Sequence, residues 1–420
     1  MRMRFPIALF AFLVPITITA QNREIRASWV VDGAKEKHEY RSHVTLECLE
    51  AGASVVYATN GAQLVLTRIH LNKTSGSVAD PDRRKTGINS AVLADGGSKV
   101  TVEYCDVMLH TAQADGLTAS GEGTRIIVED GTITANRGAS AAVCAINGGE
   151  AVVNKTDIKT YSNQSPAFYA YNGGRVNVTE VNGENAGQGS PVFLSQGEIF
   201  ASKCILKSDK WTIGSVDDGR LQLTDNELTA GGVSGFLIYG ATSNEVKSSL
   251  TLTKNKITVA EGPLFLVTNV NEADITVSGN KISSKSKELM SVRSDDWGLK
   301  GKNGGHAVLN VEKQSLTGEI NVDSISSVLV NLRKGGKLNG SINKVENRCA
   351  QVRVKLGAGS TWTAKGDCYL TSVEFDQPLA KGLKQLKGNH TIYYDPSDPA
   401  NAPLEGKEHK TGGGRLCPLK

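Results

Sequence analysis

The chain has 420 residues, of which 45 are glycine, 5% are aromatic and 21% are charged, and its formal net charge is +4. Leu, Ile and Val are abundant enough to bury a sizeable core, which excludes wholesale disorder. With 47 basic against 43 acidic residues the basic excess is slight and forms no stripe, so nucleic acid is not an expected partner.

In chain order, the first feature is a leader. Arg2 and Arg4 make a basic start, Phe5 to Ile18 is apolar, and Ala20 occupies the position before a cut. An apolar run this short, interrupted by Pro6 and Pro15, falls below the ~20 residues that a membrane-crossing helix needs. No later segment is long and apolar enough to anchor the chain. The expectation is an exported, extracellular protein with residues 1–20 as signal peptide and no membrane span. Export would make six N-x-[ST] triplets candidate glycosylation sites: Asn72, Asn154, Asn163, Asn177, Asn339 and Asn389. It would also permit disulfides among seven cysteines, an odd number that leaves at least one unpaired.

From about residue 89 a unit recurs. Glycine turns fall at Gly97, Gly123, Gly149, Gly174, Gly197 and Gly219, and an apolar residue closes each unit at Val107, Ile133, Ile158, Val181, Ile205, Leu228, Ile257 and Ile282. Inside the units apolar residues alternate with period two, as in Val100/Val102, Val176/Val178 and Leu250/Leu252, which marks strands with one buried face. A unit of about 25 residues cannot bury its own inner face, but stacked units can. The reading is an all-β chain forming a single right-handed parallel β-helix of roughly 13 coils of ~25 residues. Phe168, Phe193, Phe236 and Phe265 are expected as an inward aromatic column. Asn226, Asn255 and Asn280 are expected as a hydrogen-bonded ladder at one turn, since Asn tolerates the left-handed conformation.

The domain reading is an N-terminal cap over 21–43, the β-helix over 44–394, and a Pro- and Gly-rich tail or cap over 395–420. Residues 72–88 break the period and are expected to leave the coil, with Arg83-Arg84-Lys85 in a solvated loop and a processing site or a contact to anionic polymer as the alternatives. A second excursion surrounds Asp295, Asp296 and Trp297, read as a turn, with cation or sugar binding as the alternative. Cys349 and Cys368, somewhat less than one coil apart, are expected to form a disulfide that locks the end of the rod.

Two segments carry a resemblance. Residues 87–92 with 115–133 (DGLTASGEGTRIIVEDGTI), and residues 359–373 (GSTWTAKGDCYLTSV) with 388–395, resemble a group of secreted β-helix proteins of bacteria and fungi. That group belongs to the pectin-lyase-like fold class and is described as adhesin-like or uncharacterised. The resemblance implies a surface or secreted binding role without an established catalytic set. Many β-helix proteins cleave acidic polysaccharides with paired carboxylates, which makes such an enzyme the alternative. Gln113-Ala114-Asp115-Gly116 is a poor match to an NTDG segment, Asp217-Asp218 is not followed by GHG, and the scattered histidines lack metal spacing. Glu103 and Glu129 are one coil apart, with Lys155 and Glu180 expected to continue their column as a solvated charged face. The expected function is non-catalytic, adhesin-like binding of an extracellular or cell-wall polysaccharide or glycoprotein, without metal or cofactor. The alternative is a polysaccharide lyase or glycoside hydrolase with a diverged site.

Overall fold

The computed structural model describes all residues except 1–24, 36–37, 79, 81–82, 241–246, 297–302 and 347–349. The proposed leader and Trp297 lie outside the described residues. Period-two alternation and close-spaced turns produce what the stacking argument requires: a parallel β-solenoid of about 15 turns, 54% strand and 5% helix. At ~4.8 Å per coil the rod is about 70 Å long. A typical coil contributes a first strand (Asp115–Ser120), a second (Arg125–Glu129) and a third (Thr132–Ala135). Each pairs in parallel with its counterparts on the coils before and after. No helix among the described residues is long and apolar enough to cross a membrane.

The solenoid begins earlier than the sequence suggests. Residues 26–48, assigned mostly to a cap, supply a first coil whose strands Arg26–Asp32, Glu39–Ser42 and Thr45–Cys48 pair with the next coil. The C-terminal tail is also built in. Arg415–Pro418 stacks in parallel on Thr391–Tyr394, and the 3-10 turn Pro399–Leu404 buries its own Asn401 and Leu404. These two additions account for the higher coil count.

Inside, side chains align in columns because every coil repeats the same register. Phe168 stacks on Phe193 at 5.4 Å and Phe236 on Phe265 at 6.1 Å, all fully buried. Gly214 occupies the rung between the two pairs, where a Cβ would lie 2.4 Å from Leu221 Cδ2 and 3.1 Å from Phe236 Cδ1. The closing apolar column holds at Val107, Ile133, Ile158, Leu228, Ile257 and Ile282, but Gly183 and Leu206 take the rungs assigned to Val181 and Ile205. Leu206 is 1% exposed and its neighbour Ile205 is 59% exposed. The side chain of Leu206 reaches over Gly183, whose added Cβ would lie 2.8 Å from Leu206 Cδ2.

The asparagine ladder forms. Asn226 Nδ2 donates to Asn255 Oδ1 at 2.9 Å, and Asn255 Nδ2 donates to Asn280 Oδ1 at 3.0 Å. The left-handed residue is the one before each Asn: Asp225, Lys254 and Gly279. The same corner is left-handed at Arg68, Tyr104, Asp130, Lys155, Glu180 and Lys203, with φ between 45° and 56°. Such a conformation costs about 1–3 kcal/mol for a non-glycine residue and survives where neighbouring structure enforces it. Here the stacked coils do so from both sides.

Cys368 carries a free thiol, as do the other five cysteines among the described residues. The disulfide expected between Cys349 and Cys368 is therefore absent at Cys368, and Cys349 lies outside the described residues. Cys368 is fully buried and points inward, donating to Gly366 O while its sulfur accepts from the Ile342 N–H at 3.3 Å. Burial raises its thiol pKa to about 12.

Candidate functional site

The third face of the solenoid is interrupted. Ten third strands stack without a gap from Thr45–Cys48 to Lys281–Ser284, and there the sheet ends. The next coil's third strand, Ser315–Thr317, opens a separate four-stranded sheet instead of pairing with Lys281–Ser284. The chain between them crosses an irregular register at Glu288/Met290. Gly318 adopts φ 131° close against the preceding coil, where a Cβ would lie 2.9 Å from Lys287 O. Backbone contact is kept by the Glu319 N–H, which donates to Lys287 O at 2.8 Å. The polar ladder bridges the same interruption with a longer side chain: Gln314 Oε1 accepts from the Asn280 N–H at 2.6 Å, and Gln314 Nε2 donates to Asn280 O at 3.1 Å.

The result is an open groove of about 650 Å³. Its floor is apolar, with Leu264, Leu289 and Leu316 buried and Ile282 half-buried. Its rim carries Lys285, Lys287 and Lys365, all exposed, with Ser283, Ser284 and Ser286 between them. None of the three lysines forms an ion pair with a described residue. The two acids at the rim are engaged: Glu319 pairs with Lys344 at 2.9 Å, and Glu288 accepts from Asn321 Nδ2 at 2.7 Å. The groove thus offers three free cations above an apolar floor, a combination suited to an anionic ligand with an apolar face. In the sequence the only trace is the run Ser283-Ser284-Lys285-Ser286-Lys287 where the repeat falters.

The positions singled out from the sequence disperse. Glu103 and Glu129 are register neighbours on adjacent coils. The next rung is Asn154, whose Nδ2 donates to Glu129 Oε1 at 3.2 Å. Lys155 and Glu180 do not continue that column; they sit one residue on, at the left-handed corner. Along that exposed corner Asp130, Lys155, Glu180, Lys203, Asp225 and Lys254 alternate in sign from coil to coil. Lys203 and Glu180 approach to 3.6 Å, the kind of surface pair that contributes little to stability.

Asp115 and Asp217 are both buried, on different coils, and both have partners. Asp217 Oδ2 accepts from Gln196 Nε2 at 2.7 Å, and Gln196 Oε1 accepts from the Tyr169 hydroxyl at 2.9 Å. Burial pushes the Tyr169 hydroxyl pKa far up. Asp218 turns outward at a left-handed corner, so the two adjacent aspartates face different media.

The Arg83-Arg84-Lys85 segment is not a solvated loop. It forms a short helix, Arg83–Thr86, folded against the first face, and Arg83 is 4% exposed. Arg83 Nη1 meets Asp115 Oδ2 at 2.7 Å and its other nitrogen bonds Ala139 O, while Asp115 Oδ1 accepts from the Ala141 N–H at 2.7 Å. Arg84 reaches Gln164 O at 2.9 Å and lies over the Tyr169 ring, and Asn147 Nδ2 donates to Lys85 O. The excursion leaves the coil after Lys73 and spans several rungs as a clamp. Asp295 is likewise a structural turn residue. Its carboxylate meets Arg293 at 3.1 Å and its N–H donates to Asn269 Oδ1 at 2.9 Å.

Among the six sequons, Asn163 and Asn389 are exposed, while Asn72, Asn154, Asn177 and Asn339 are partly buried among their rungs. Among the described residues no group of three or more His, Cys, Asp or Glu is placed to hold a metal ion. No protein-family model, curated protein or solved structure matches this chain. The architecture alone defines its class, a parallel β-solenoid with a docked insertion and one interrupted face.

Proposed function

We propose that this chain is an exported, non-catalytic binding rod of the adhesin-like kind, and that the groove on its interrupted face holds an anionic extracellular or cell-wall glycan. The observation that carries the reading is the trio of exposed lysines, Lys285, Lys287 and Lys365, around an open groove with an apolar floor. Sugar rings present an apolar C–H face and a polar edge, and the floor and the Ser/Lys rim offer a complement to each. A stiff solenoid presents such a site without the ordering cost that a mobile loop would add. The leader at 1–20, the sequons and the resemblance to secreted adhesin-like β-helix proteins all agree with an extracellular place of work.

The test is retention of the purified protein on an array of acidic and neutral glycans, alongside a variant with Lys285, Lys287 and Lys365 changed to Gln. Binding to acidic members, weakened at least tenfold in the variant and by added salt, supports the reading. Retention that the variant keeps in full overturns the site. A second reading, a polysaccharide lyase or hydrolase, is favoured by one observation, the in-register Glu103 and Glu129. It predicts release of unsaturated or reducing ends from acidic polysaccharide, abolished by Glu129→Gln.

A further inference from the structure

Lys73 is the only lysine among the fully buried large side chains of the described residues, at 0% exposure. Its position on the strand His70–Lys73 faces inward, and its rung neighbours are Cys48 on one side and Leu109 on the other. An ammonium in such a place needs a counter-charge or complete hydrogen bonding. Lys73 has no carboxylate partner among the described residues. Its Nζ donates to two backbone carbonyls, Glu50 O and Ser75 O, and its third contact is Cys48 Sγ at 3.7 Å. Cys48 is 2% exposed and bonds weakly to Glu50 O and Ala53 O, so the amine is its one side-chain partner among the described contacts.

Burial lowers the Lys73 pKa, an effect that the nearby thiol partly opposes, and so raises the share of free amine. A nucleophilic nitrogen is thus held beside an oxidisable sulfur, on rungs that belong to the first two coils. Leu49, next to Cys48, is 65% exposed, so the pair lies close beneath the surface of the first described coils.

We infer that Cys48 and Lys73 form an oxidant-dependent covalent rung that ties the first coil to the second. The oxidant is a peroxide. In the first step the Cys48 thiol reduces one peroxide to water and becomes a sulfenic acid. In the second, the Lys73 amine attacks the sulfenic sulfur. An S–N bond forms, the S–O bond breaks, and hydroxide leaves as water with a proton from nitrogen. The product is a sulfenamide that a small thiol reverts to thiol and amine. Among the described residues the first coil pairs with a coil on one side only, so it frays before the interior of a solenoid. A bond between rungs opposes that fraying.

The test is peptide mapping of the intact protein before and after hydrogen peroxide, without reduction. The expected result is a linked species joining the Cys48 and Lys73 peptides. Its mass would equal their sum less two hydrogens, it would disappear on thiol treatment, and it would be absent in Cys48→Ala. Thermal unfolding should shift upward on peroxide treatment and return with thiol, and Cys48→Ala should show neither change. Recovery of the Lys73 peptide unlinked while Cys48 is converted to sulfinic or sulfonic acid would overturn the inference. So would a thiol at Cys48 that stays unmodified under peroxide. The wild-type map decides the matter even where Cys48→Ala fails to fold.

Discussion

The solenoid is interrupted at two places, and they end differently. At 74–89 the chain leaves the coil, and its own short helix returns to the wall, where a buried Arg83–Asp115 pair closes the contact. At 285–314 the third face stops pairing, and the space between the two sheets remains a groove rimmed by unpaired lysines. One interruption is filled by the molecule itself and contributes to its stability. The other is left open and is free to contribute to binding. Charge placement makes the difference: at the first the cations meet a buried carboxylate, and at the second the neighbouring acids already have other partners.

The strongest way to break this contrast is Asp115→Ala. It leaves the Arg83 guanidinium buried without its partner and should cost about 3–5 kcal/mol in denaturant unfolding. The same variant should expose residues 74–89 to limited proteolysis, whereas Arg83→Met with Asp115→Leu together should recover most of the loss. Next in size is Gly318→Ala at the open interruption. A Cβ 2.9 Å from Lys287 O, on a backbone at φ 131°, should cost about 1–3 kcal/mol, readable as a lowered unfolding midpoint.

A smaller effect sharpens the comparison from the other side. Changing Lys285, Lys287 and Lys365 to Gln should leave unfolding within ~0.5 kcal/mol of wild type, because exposed unpaired charges hold nothing together. A large destabilisation there would make the groove structural. The smallest effect concerns pH near the same break. Desolvation lowers the His306 pKa, opposed in part by Asp323, and its Nδ1 lies 2.8 Å from Ser327 Oγ. The unfolded chain therefore takes up this proton at higher pH than the folded one. The associated loss of stability sets in as pH falls through about 6.5 and is complete below the folded midpoint. Titration of the His306 ring by NMR should give a midpoint below that of a free histidine.

Much of the architecture was legible in the residues. The Phe168, Phe193, Phe236 and Phe265 column and the Asn226–Asn255–Asn280 ladder stand as expected, because a coil-length repeat carries its own register. Errors entered wherever the register moved by one or two residues. Val181 and Ile205 fit the apolar spacing, yet Gly183 and Leu206 hold those rungs. Lys155 and Glu180 followed the step from Glu103 and Glu129, yet they fall at the next corner, because spacing counts residues and not which side of a left-handed turn each occupies. The groove left almost no mark, since an interruption reads the same whether it is filled or open.

By itself the sequence determined the repeat, the alternation within it and the inward columns, all of which follow from periods of two residues and of one coil. Only the tertiary structure decided that Arg83 meets Asp115, that Arg84 reaches Gln164 across 80 positions, and that Lys73 comes to rest beside Cys48. It also decided that three lysines sit on the rim of one open groove. Periodic contacts are specified locally and repeated in every coil. These single contacts depend on how far each excursion travels before the chain rejoins the stack, and that distance is set by packing.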